Sequence, residues 1–377
     1  MINRSTGCIL TCLFILTIAT KMQGEEFYHI PEEKNDGWQI STLQKEGFNQ
    51  EIISKLLRKI NNRAFKNIHS IIIAKNNRIV LDEFYKKKLS YIDKGLNSDI
   101  ELHAAMSVTK SIFSLLMGIA IDQGIVKSVN EKVLSFFPEY GPLQNWPLEK
   151  QNLTIKNFLT MRHGLAWNEI KYNYDDERNS FYKISQQNDW VKATLDLDLV
   201  NKPGVDFAYS SGISHVVAAL IARASGRPIE DFADKFLYKP LEIKKTAFYR
   251  APDGRADDVF LTTRAMAKIG QLIINNGKWN GKRIVSASWI KQSTKIYYDD
   301  PDEDCFDYSY FWWRYNFKTG GKNLKAVIAW GWGGQFIFVF PELDMVVVIT
   351  EGNYYHPKRE EQAIEMIADY ILPAISE

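Results

Sequence analysis

Strand-like patterns lie at the two ends of this chain, and helical patterns fill its middle. Residues 69–74 and 79–85 are typical of two strands joined by a turn at 76–77. The segment 308–350 is typical of further strands at 308–317, 324–330, 335–340 and 345–350, whereas 125–292 is rich in helical patterns and loops. This order predicts an α+β fold, with an antiparallel β-sheet built from both chain ends, flanked by helices, and an inserted mainly helical domain.

The same order predicts the domain boundaries. We expect a sheet domain formed by 25–124 and 293–377, with the mainly helical domain at 125–292 between its two parts. A functional site is then expected where the two domains meet. Individual helices are predicted at 50–64, 155–161, 214–225, 264–276 and 358–371.

Residues 1–24 have the layout of a secretory signal peptide. Arg4 lies in a short polar start, an apolar run covers 8–19, and a polar exit leads to Gly24. This run is shorter than the ~20 residues that a membrane-spanning helix needs, so we expect cleavage near Gly24 and no stable membrane anchor afterwards. The mature protein would be periplasmic or secreted, with Cys305 as its one cysteine and therefore no internal disulfide.

The overall composition excludes several classes of protein. The chain has 377 residues, of which 45% are hydrophobic and 24% charged, which is typical of a globular protein and not of a disordered one. Its formal net charge is +2, and acidic and basic residues are well mixed, so nucleic acid is not an expected partner. Nothing in the sequence specifies an oligomeric state.

The segment 101–124 places a serine and a lysine three residues apart at the head of a strongly apolar helical run. This spacing puts Ser107 and Lys110 on one face of the first helical turn, with the Lys110 ammonium within reach of the Ser107 hydroxyl. Because the run is apolar on almost every face, we expect the helix to be buried. Desolvation would lower the pKa of Lys110 and favour a neutral amine, which can act as the base for a serine nucleophile.

The spacing alone is a weak signal, because Ser-x-x-Lys also occurs at 180–183 and 288–291. The surroundings of those two copies are polar and charged, so we expect their lysines to stay solvated and cationic. The local residues also leave a second interpretation of Ser107 open. In it, Ser107 caps the helix and Lys110 extends outward to solvent.

Two later segments are candidates to complete such a site. Tyr209 precedes a small polar turn, Ser210-Ser211-Gly212, and then an apolar helix, so its phenol can point into a cleft. The segment 330–335, WGWGGQ, opens a strand, and its glycines let the backbone approach a substrate closely. A serine and lysine pair needs a group that passes protons to the leaving group, and it needs an oxyanion hole.

In order and type, these segments resemble the motifs of the penicillin-recognising serine hydrolases. That family includes class C β-lactamases, DD-peptidases, related esterases and, closest in motif, the 6-aminohexanoate-dimer hydrolases. Residues 107–110 match its Ser-x-x-Lys, 209–211 its Tyr-x-Asn, and 331–333 its third, strand-borne triad. The resemblance covers nearly all of the mature chain and implies a β-lactamase/transpeptidase-like fold, a secreted serine hydrolase, and no cofactor or metal.

Carried over by position, the resemblance implies a role for each matching residue. Ser107 would be the acyl-accepting nucleophile, Lys110 its base, and Tyr209 the proton carrier for the leaving group and the deacylating water. The backbone N–H groups of Ser107 and Gly334 would form the oxyanion hole. Substrate contacts would come from Ser211, Gly331, Trp332 and Gly333, and the substrate would be a small ester, amide or peptide.

Two departures from the family pattern bear on the substrate. Ser211 stands where the family usually has Asn, and Gly331 stands where β-lactamases and DD-peptidases carry a Lys or His that recognises a carboxylate. A glycine cannot supply that charge. We therefore expect carboxylic esters or linear amides as substrates. A β-lactamase or DD-peptidase acting on penicillins or stem peptides is the first alternative, and a non-catalytic binding protein of the same fold is the second.

Four further residues invite a functional interpretation. His163 and His215 are expected to be structural. Tyr172 and Tyr174 lie where amide-hydrolysing relatives can place a helper tyrosine. Of the alternating aromatic residues in 330–340, most are expected in the core, with Trp332 lining the cleft.

Overall fold

The computed structural model of the protein describes residues 27–86, 101–141, 146–301, 306–355 and 361–375. The predicted signal peptide at 1–24, and Cys305 with its expected lack of a disulfide, lie outside these residues. The helix predicted to begin at 358 lies partly outside them. In the part of the chain that the structure describes, no helix has both the length and the apolar character needed to span a membrane.

The strands of the described residues form three sheets. In chain order they are β1 (Gln39–Ile40), β2 (Ile68–Lys75), β3 (Arg78–Phe84), β4 (His103–Ala104), β5 (Thr246–Arg250), β6 (Ala256–Leu261), β7 (Lys278–Trp279), β8 (Lys282–Arg283), β9 (Asp307–Tyr308), β10 (Trp313–Thr319), β11 (Lys322–Gly331), β12 (Gln335–Phe340) and β13 (Met345–Glu351).

The main sheet joins the two ends of the chain, which confirms the predicted fold class. Its strand order is β1-β3-β2-β13-β12-β11-β10-β9, and every neighbouring pair is antiparallel except β1 and β3. The join is the pairing of β2 with β13, in which Ile73 faces Val347. Two smaller sheets, β4-β6-β5 and β7-β8, accompany it.

The helices lie mainly between the two groups of strands. They are α1 (Gln50–Asn61), α2 (Val108–Asp122), α3 (Leu148–Gln151), α4 (Ile155–Leu159), α5 (Ser180–Ser185), α6 (Trp190–Asp196), α7 (Ser211–Ser225), α8 (Ile229–Ala233), α9 (Thr263–Ile274), α10 (Ala287–Ser293) and α11 (Glu361–Met366). Short 3-10 turns occupy Val133–Phe136, Pro138–Tyr140 and Pro341–Leu343, and π-helical turns occupy Asp234–Tyr238 and Ile367–Ile371.

Helix α2 is buried as predicted, because apolar neighbours surround it. Every residue from Val108 to Ala120 is buried. One approach is so close that a Cβ added at Gly118 would lie 2.2 Å from the Trp289 ring of α10. Helix α2 also packs against α7 and strand β11, so its start is held between the helices and the main sheet.

Local signals placed several elements correctly. Asn76 and Asn77 both have positive φ in the β2–β3 turn, as a tight hairpin turn requires. Thr154 forms a capping box with Asn157 at the start of α4.

The division into two domains stays a prediction. Helix α9, inside the predicted helical part, packs on the main sheet, where a Cβ added at Gly270 would lie 2.7 Å from Val346.

Two predicted elements differ from the structure. The strand predicted from 308 to 317 is interrupted after Tyr308, where Phe311 adopts a positive φ, and it resumes at Trp313. The helix predicted to begin at 214 begins at Ser211, because Ser210 is its N-cap and accepts a hydrogen bond from the Ile213 N–H at 3.2 Å. Ser211 and Gly212 therefore belong to the first turn of α7 instead of a loop.

Candidate active site

Ser107 stands directly before the first residue of α2. It occupies the N-cap position, but its side chain makes no capping hydrogen bond. Lys110 is 5% exposed and does not extend to solvent. The alternative interpretation, in which Ser107 is a cap and Lys110 points outward, is therefore wrong.

Three polar side chains meet around the amine of Lys110. Its Nζ donates hydrogen bonds to Ser107 Oγ at 2.8 Å and to Ser211 Oγ at 3.0 Å, and it lies 4.9 Å from the centroid of the Tyr209 ring. Tyr209 is held in turn by the Trp313 ring, which stacks on it at 5.5 Å. Helix α2, the segment before α7 and strand β10 thus each contribute to one cluster.

The other two copies of Ser-x-x-Lys have a different environment. In the first copy Lys183 is exposed to solvent, and in the second copy both Ser288 and Lys291 are exposed. The Ser180 hydroxyl accepts a hydrogen bond from the Asn168 N–H at 2.8 Å. As predicted, these lysines are not desolvated.

The protonation of Lys110 differs from the prediction. Burial alone lowers the pKa of Lys110, but Tyr209 and Glu169 act in the opposite direction, and the pKa is raised above its ordinary value. At neutral pH the group is therefore an ammonium. The expectation of a neutral lysine was wrong because it considered the desolvation and not the acidic partners that other segments bring to the site.

Glu169 is a residue of this site that the sequence analysis did not predict. Its carboxylate is 2% exposed and accepts hydrogen bonds from Ser211 N at 2.7 Å, Ser211 Oγ at 2.6 Å, Trp167 Nε1 at 3.0 Å and Tyr174 OH at 2.9 Å. The negative charge lies at the N-terminus of α7, where the helix dipole favours it. The Ser211 hydroxyl thus accepts from Lys110 and donates to Glu169, and it links the ammonium to its counter-charge.

A second acid, Asp258 of β6, supports the turn that carries the nucleophile. It accepts hydrogen bonds from the Met106 N–H at 3.1 Å and from the Thr109 hydroxyl. Met106, directly before Ser107, has a φ of 51°, which is uncommon for a non-glycine residue. Burial raises the pKa of Asp258 to about 7, and the neighbouring Asp257 adds to this effect.

The two histidines have structural surroundings, as expected. His163 Nε2 donates to the Ala208 carbonyl at 2.9 Å, next to Tyr209, and burial lowers its pKa to about 4. His215 of α7 lies between Asp253 at 3.2 Å and Asp257 at 3.3 Å. Burial alone would lower the pKa of His215, but the two carboxylates raise it to about 9.

The glycines of 331–334 sit where the main sheet meets the nucleophile turn. A Cβ added at Gly331 would lie 2.4 Å from the Ala105 carbonyl oxygen, one added at Gly333 2.4 Å from the Tyr354 ring, and one added at Gly334 2.3 Å from Glu351. Gly333 and Gly334 also have φ values of 84° and 93°. The close approach that the sequence suggested is therefore present, although at Gly331 the approach is to the protein's own backbone.

Ser107 lines two cavities. The first, which we call the Asp257 cavity, has a volume of about 450 Å³ and is lined by Phe181, Trp190, Tyr249 and Asp257 among others. The second, which we call the Tyr209 cavity, has a volume of about 350 Å³ and is lined by Tyr209, Trp313, Trp330 and Tyr355 among others. Ser107, Tyr174 and Trp332 line both, and the Tyr174 and Trp332 rings lie 5.2 Å apart. Trp332 lines the cleft as predicted.

Residues 69–369 match the β-lactamase family. The chain belongs to this family. The match runs from strand β2 to the C-terminal helical segment and includes every residue that the sequence singled out for catalysis or substrate contact. The protein is accordingly a serine hydrolase related to the β-lactamases, as the motifs predicted.

Relatives of several activities share this fold. The 6-aminohexanoate-dimer hydrolase of Paenarthrobacter ureafaciens is 23% identical over 71% of this chain and 69% of its own. A penicillin-binding protein homologue from Pyrococcus abyssi superposes with a TM-score of 0.62 at 19% identity, over 84% of this chain and 76% of its own. A family VIII carboxylesterase superposes with a TM-score of 0.57 at 16% identity, over 80% and 91%. These likenesses establish the fold and leave the substrate open.

Among the described residues, no group of three or more His, Cys, Asp or Glu side chains is arranged to hold a metal ion.

Most residues predicted for the site are brought together: Ser107, Lys110 and Ser211 by direct contact, Tyr209 beside the lysine, and Trp332 in the lining of the cleft. Of the two suggested helper tyrosines, Tyr174 reaches Glu169, and Tyr172 lines the Tyr209 cavity.

Proposed function

We propose that this protein hydrolyses carboxylic esters or linear amides through an acyl-enzyme on Ser107, with Lys110 and Tyr209 moving the protons. The observation that carries the proposal is the 2.8 Å contact between Lys110 Nζ and Ser107 Oγ, with Ser107 in the lining of both cavities and Tyr209 beside the same amine. A serine, a proton acceptor within hydrogen-bond reach and a third group beside the acceptor form the general arrangement of an activated nucleophile.

Acylation would begin when Ser107 Oγ attacks the substrate carbonyl carbon and its proton passes to the Lys110–Tyr209 pair. Collapse of the tetrahedral intermediate breaks the bond to the leaving group, which takes a proton from Tyr209. In deacylation a water molecule gives a proton to the same pair while its oxygen attacks the acyl carbon. The bond between this carbon and Ser107 Oγ then breaks, Ser107 Oγ takes the proton back from the pair, and the carboxylic acid leaves. Because Lys110 rests as an ammonium, the pair must first lose a proton to act as a base.

The backbone around the nucleophile supports an oxyanion hole. The N–H groups of Ser107 and Gly334 have no hydrogen-bond acceptor among the described residues. Backbone donors of folded proteins are normally paired, so these two N–H groups are available for a developing oxyanion. The positive φ of Gly334 is a backbone conformation that other residues rarely adopt.

The charges of the cleft favour substrates without an obligatory carboxylate. Within the described part of the chain, Lys110 is the one cation that lines either cavity, and it is already engaged by Ser107 and Ser211. A group dedicated to a substrate carboxylate is therefore absent from the described lining. This agrees with the glycine at 331, where penicillin-recognising relatives carry a cation.

A substrate panel tests the proposed function. Purified protein is assayed with p-nitrophenyl esters, short linear amides and nitrocefin. We expect kcat/KM for the best ester to exceed that for nitrocefin by at least roughly ten- to a hundredfold, the scale of a missing charge-assisted hydrogen bond to carboxylate. Faster turnover of nitrocefin than of every ester would contradict the proposal and support a β-lactamase.

The pH dependence tests the role of Lys110. Since the active base is the deprotonated pair and the pKa of Lys110 is raised, kcat/KM for a neutral ester should rise about tenfold per pH unit through the neutral range and level off only in the alkaline range. Glu169→Gln removes a charge that raises this pKa, so its profile should level off at a lower pH.

The matched control is Asp175→Asn, which removes an exposed carboxylate from the lining of the same Tyr209 cavity. Asp175 is not one of the groups that act most strongly on the pKa of Lys110, so the profile of this variant should keep the wild-type inflection. A flat profile between pH 6 and 9, or an inflection that Glu169→Gln leaves in place, would contradict the assignment of Lys110 as part of the base.

We also propose that the protein is exported and that its leader is removed near Gly24. The support is the charged start and short apolar run of residues 1–20. The intact mass of protein recovered from outside the cytoplasm should correspond to a chain that begins near Glu25. Recovery of a chain that retains Met1 would contradict the proposal.

A further inference from the structure

The leaving group of a substrate must depart toward its proton donor, which in the proposed mechanism is Tyr209. Tyr209 lines the Tyr209 cavity and is not among the residues that line the Asp257 cavity, whereas Ser107 lines both. The leaving group is therefore placed in the Tyr209 cavity, and the acyl group in the Asp257 cavity.

Two groups of aromatic rings line the Tyr209 cavity. In the first, which we call the Trp313 group, the Trp313 ring lies 5.5 Å from Tyr209 and 5.4 Å from Trp330. In the second, which we call the Trp332 group, the Trp332 ring has three neighbours, namely Tyr174 at 5.2 Å, Tyr354 at 5.2 Å and Tyr355 at 5.3 Å. Among the described residues, no ring contact joins one group to the other. The cavity therefore offers two separate sets of rings to a bound group.

Apolar surface of this cavity also remains open to solvent. Ile170 and Tyr355 both contribute to its lining, yet they are 71% and 77% exposed. Exposed apolar surface beside a groove is typical of ligand binding, because a ligand that covers it removes that surface from water. A leaving group with an apolar ring would cover such surface, whereas a small polar alcohol would not.

Charge of neither sign dominates the surroundings of this cavity. The segment 171–178, which contributes part of the lining, carries three acidic and two basic side chains. Beside Ser107, the Lys110 ammonium and the Glu169 carboxylate have opposite charges and are linked through the Ser211 hydroxyl. Recognition of a leaving group is therefore expected to depend on the rings and not on an ion pair.

We infer that the Tyr209 cavity binds a leaving group that carries an aromatic ring, so that the preferred substrates are esters or amides of aryl-bearing alcohols or amines. Such a ring can pair with tryptophan or tyrosine in an offset-stacked or edge-to-face arrangement. The inference rests on the proposed function, because it takes Ser107 as the acylated residue and Tyr209 as the proton donor to the leaving group. It goes further in naming the substrate class.

Matched esters separate aromatic character from size. Benzyl acetate is compared with cyclohexylmethyl acetate, and 2-phenylethyl acetate with 2-cyclohexylethyl acetate, by titration of the released acid at constant pH. Each kcat/KM is divided by the rate constant for hydroxide hydrolysis of the same ester, which corrects for intrinsic reactivity. We expect the aromatic ester to be favoured by roughly three- to tenfold in at least one pair. The preference should not depend on salt, since no ion pair supports it.

Variants of the lining test which cavity binds the ring. Trp330→Leu removes a ring from the Trp313 group, and Tyr355→Leu removes one from the Trp332 group. The matched control is Tyr249→Leu, since Tyr249 lines the Asp257 cavity and not the Tyr209 cavity. The double variant should reduce the aromatic-to-saturated ratio to near one, whereas Tyr249→Leu should retain it. Because Tyr355 is largely exposed, Tyr355→Leu should keep the fold and should by itself lower the ratio.

The possible outcomes distinguish this inference from the proposed function. Equal corrected rates within both pairs, with hydrolysis of p-nitrophenyl esters intact, would overturn the inference and leave the proposed hydrolase standing. A ratio that is unchanged in Tyr355→Leu and in the double variant, or that falls as much in Tyr249→Leu, would overturn the placement of the ring in the Tyr209 cavity. An absence of hydrolysis of every ester would instead contradict the proposed function.

Discussion

Ser107→Ala should abolish ester hydrolysis, with kcat lower by up to about 10⁶-fold, the scale seen when another serine hydrolase loses its nucleophile. The reason is that, among the serines that the structure describes, only Ser107 contacts a buried lysine and lines both cavities. Initial rates with the best p-nitrophenyl ester, corrected for the uncatalysed reaction, measure the loss. Lys110→Ala and Tyr209→Phe should each lower kcat by about 10²–10⁴, the usual effect of removing a general acid or base.

The controls for this result are the other two serines that stand three residues before a lysine. Ser180→Ala and Ser288→Ala should retain wild-type kcat, because Lys183 and Lys291 are exposed and neither serine lines a cavity described at the site. A Ser107→Ala variant that keeps more than a few per cent of the wild-type rate, with folding verified by circular dichroism, would contradict the assignment of the nucleophile.

Gly331→Ala should lower kcat/KM by about 10²-fold and destabilise the fold by about 1–3 kcal/mol. The new Cβ would meet the Ala105 carbonyl oxygen at 2.4 Å, so strand β11 and the turn that carries Ser107 must move apart. Overpacking of a well-packed contact has a destabilisation of this size, and a displacement of about 1 Å at a reacting group can reduce rates a hundredfold. Ester kinetics and urea unfolding measure the two effects.

Gly321→Ala serves as the matched control for this variant. Gly321 lies in the β10–β11 turn with a φ of 74°, and no atom lies within 4 Å of an added Cβ. This change should destabilise the fold by about 1–2 kcal/mol through backbone strain alone and leave kcat/KM unchanged. Wild-type kinetics in Gly331→Ala would show that the contact with Ala105 does not position the nucleophile.

The close contact between Gly331 and Ala105 also limits what a lysine at position 331 can show about the preference for substrates without a carboxylate. A lysine at position 331 would restore the cation found in penicillin-recognising relatives, but its Cβ would also push against the Ala105 backbone. Any change in substrate preference would then combine charge with displacement of Ser107. The backbone of Ala105 leaves no room for a side chain at position 331. The same lack of space explains why this position carries no cation.

Elements with a local cause could be predicted from the sequence. The β2–β3 hairpin follows from two apolar runs around Asn76 and Asn77, and strand β12 was predicted with its observed bounds, Gln335–Phe340, because glycines precede it and a proline follows it. The buried helix α2 follows from its apolar composition alone. In each case the residues that decide the structure are neighbours in the chain.

Features that depend on distant residues could not be predicted in this way. Glu169 lies 42 positions before Ser211, and no local pattern distinguishes it from the acids in the loop that follows. Together with Tyr209, which has the larger effect, Glu169 opposes the desolvation that was expected to lower the pKa of Lys110, and both residues come from other segments than the helix. Asp257 and Asp258 give a weak local signal, because they are two acids in an otherwise apolar strand.

The proposed mechanism depends on a covalent intermediate on Ser107, and trapping this intermediate tests the mechanism most directly. The protein is treated with a fluorophosphonate probe, or quenched in acid during turnover of a slow ester, and digested for peptide mapping by mass spectrometry. We expect a single adduct on the peptide that contains Ser107, absent from Ser107→Ala and present in Ser180→Ala and Ser288→Ala. Labelling that persists in Ser107→Ala, or an adduct that maps to another residue, would contradict the account.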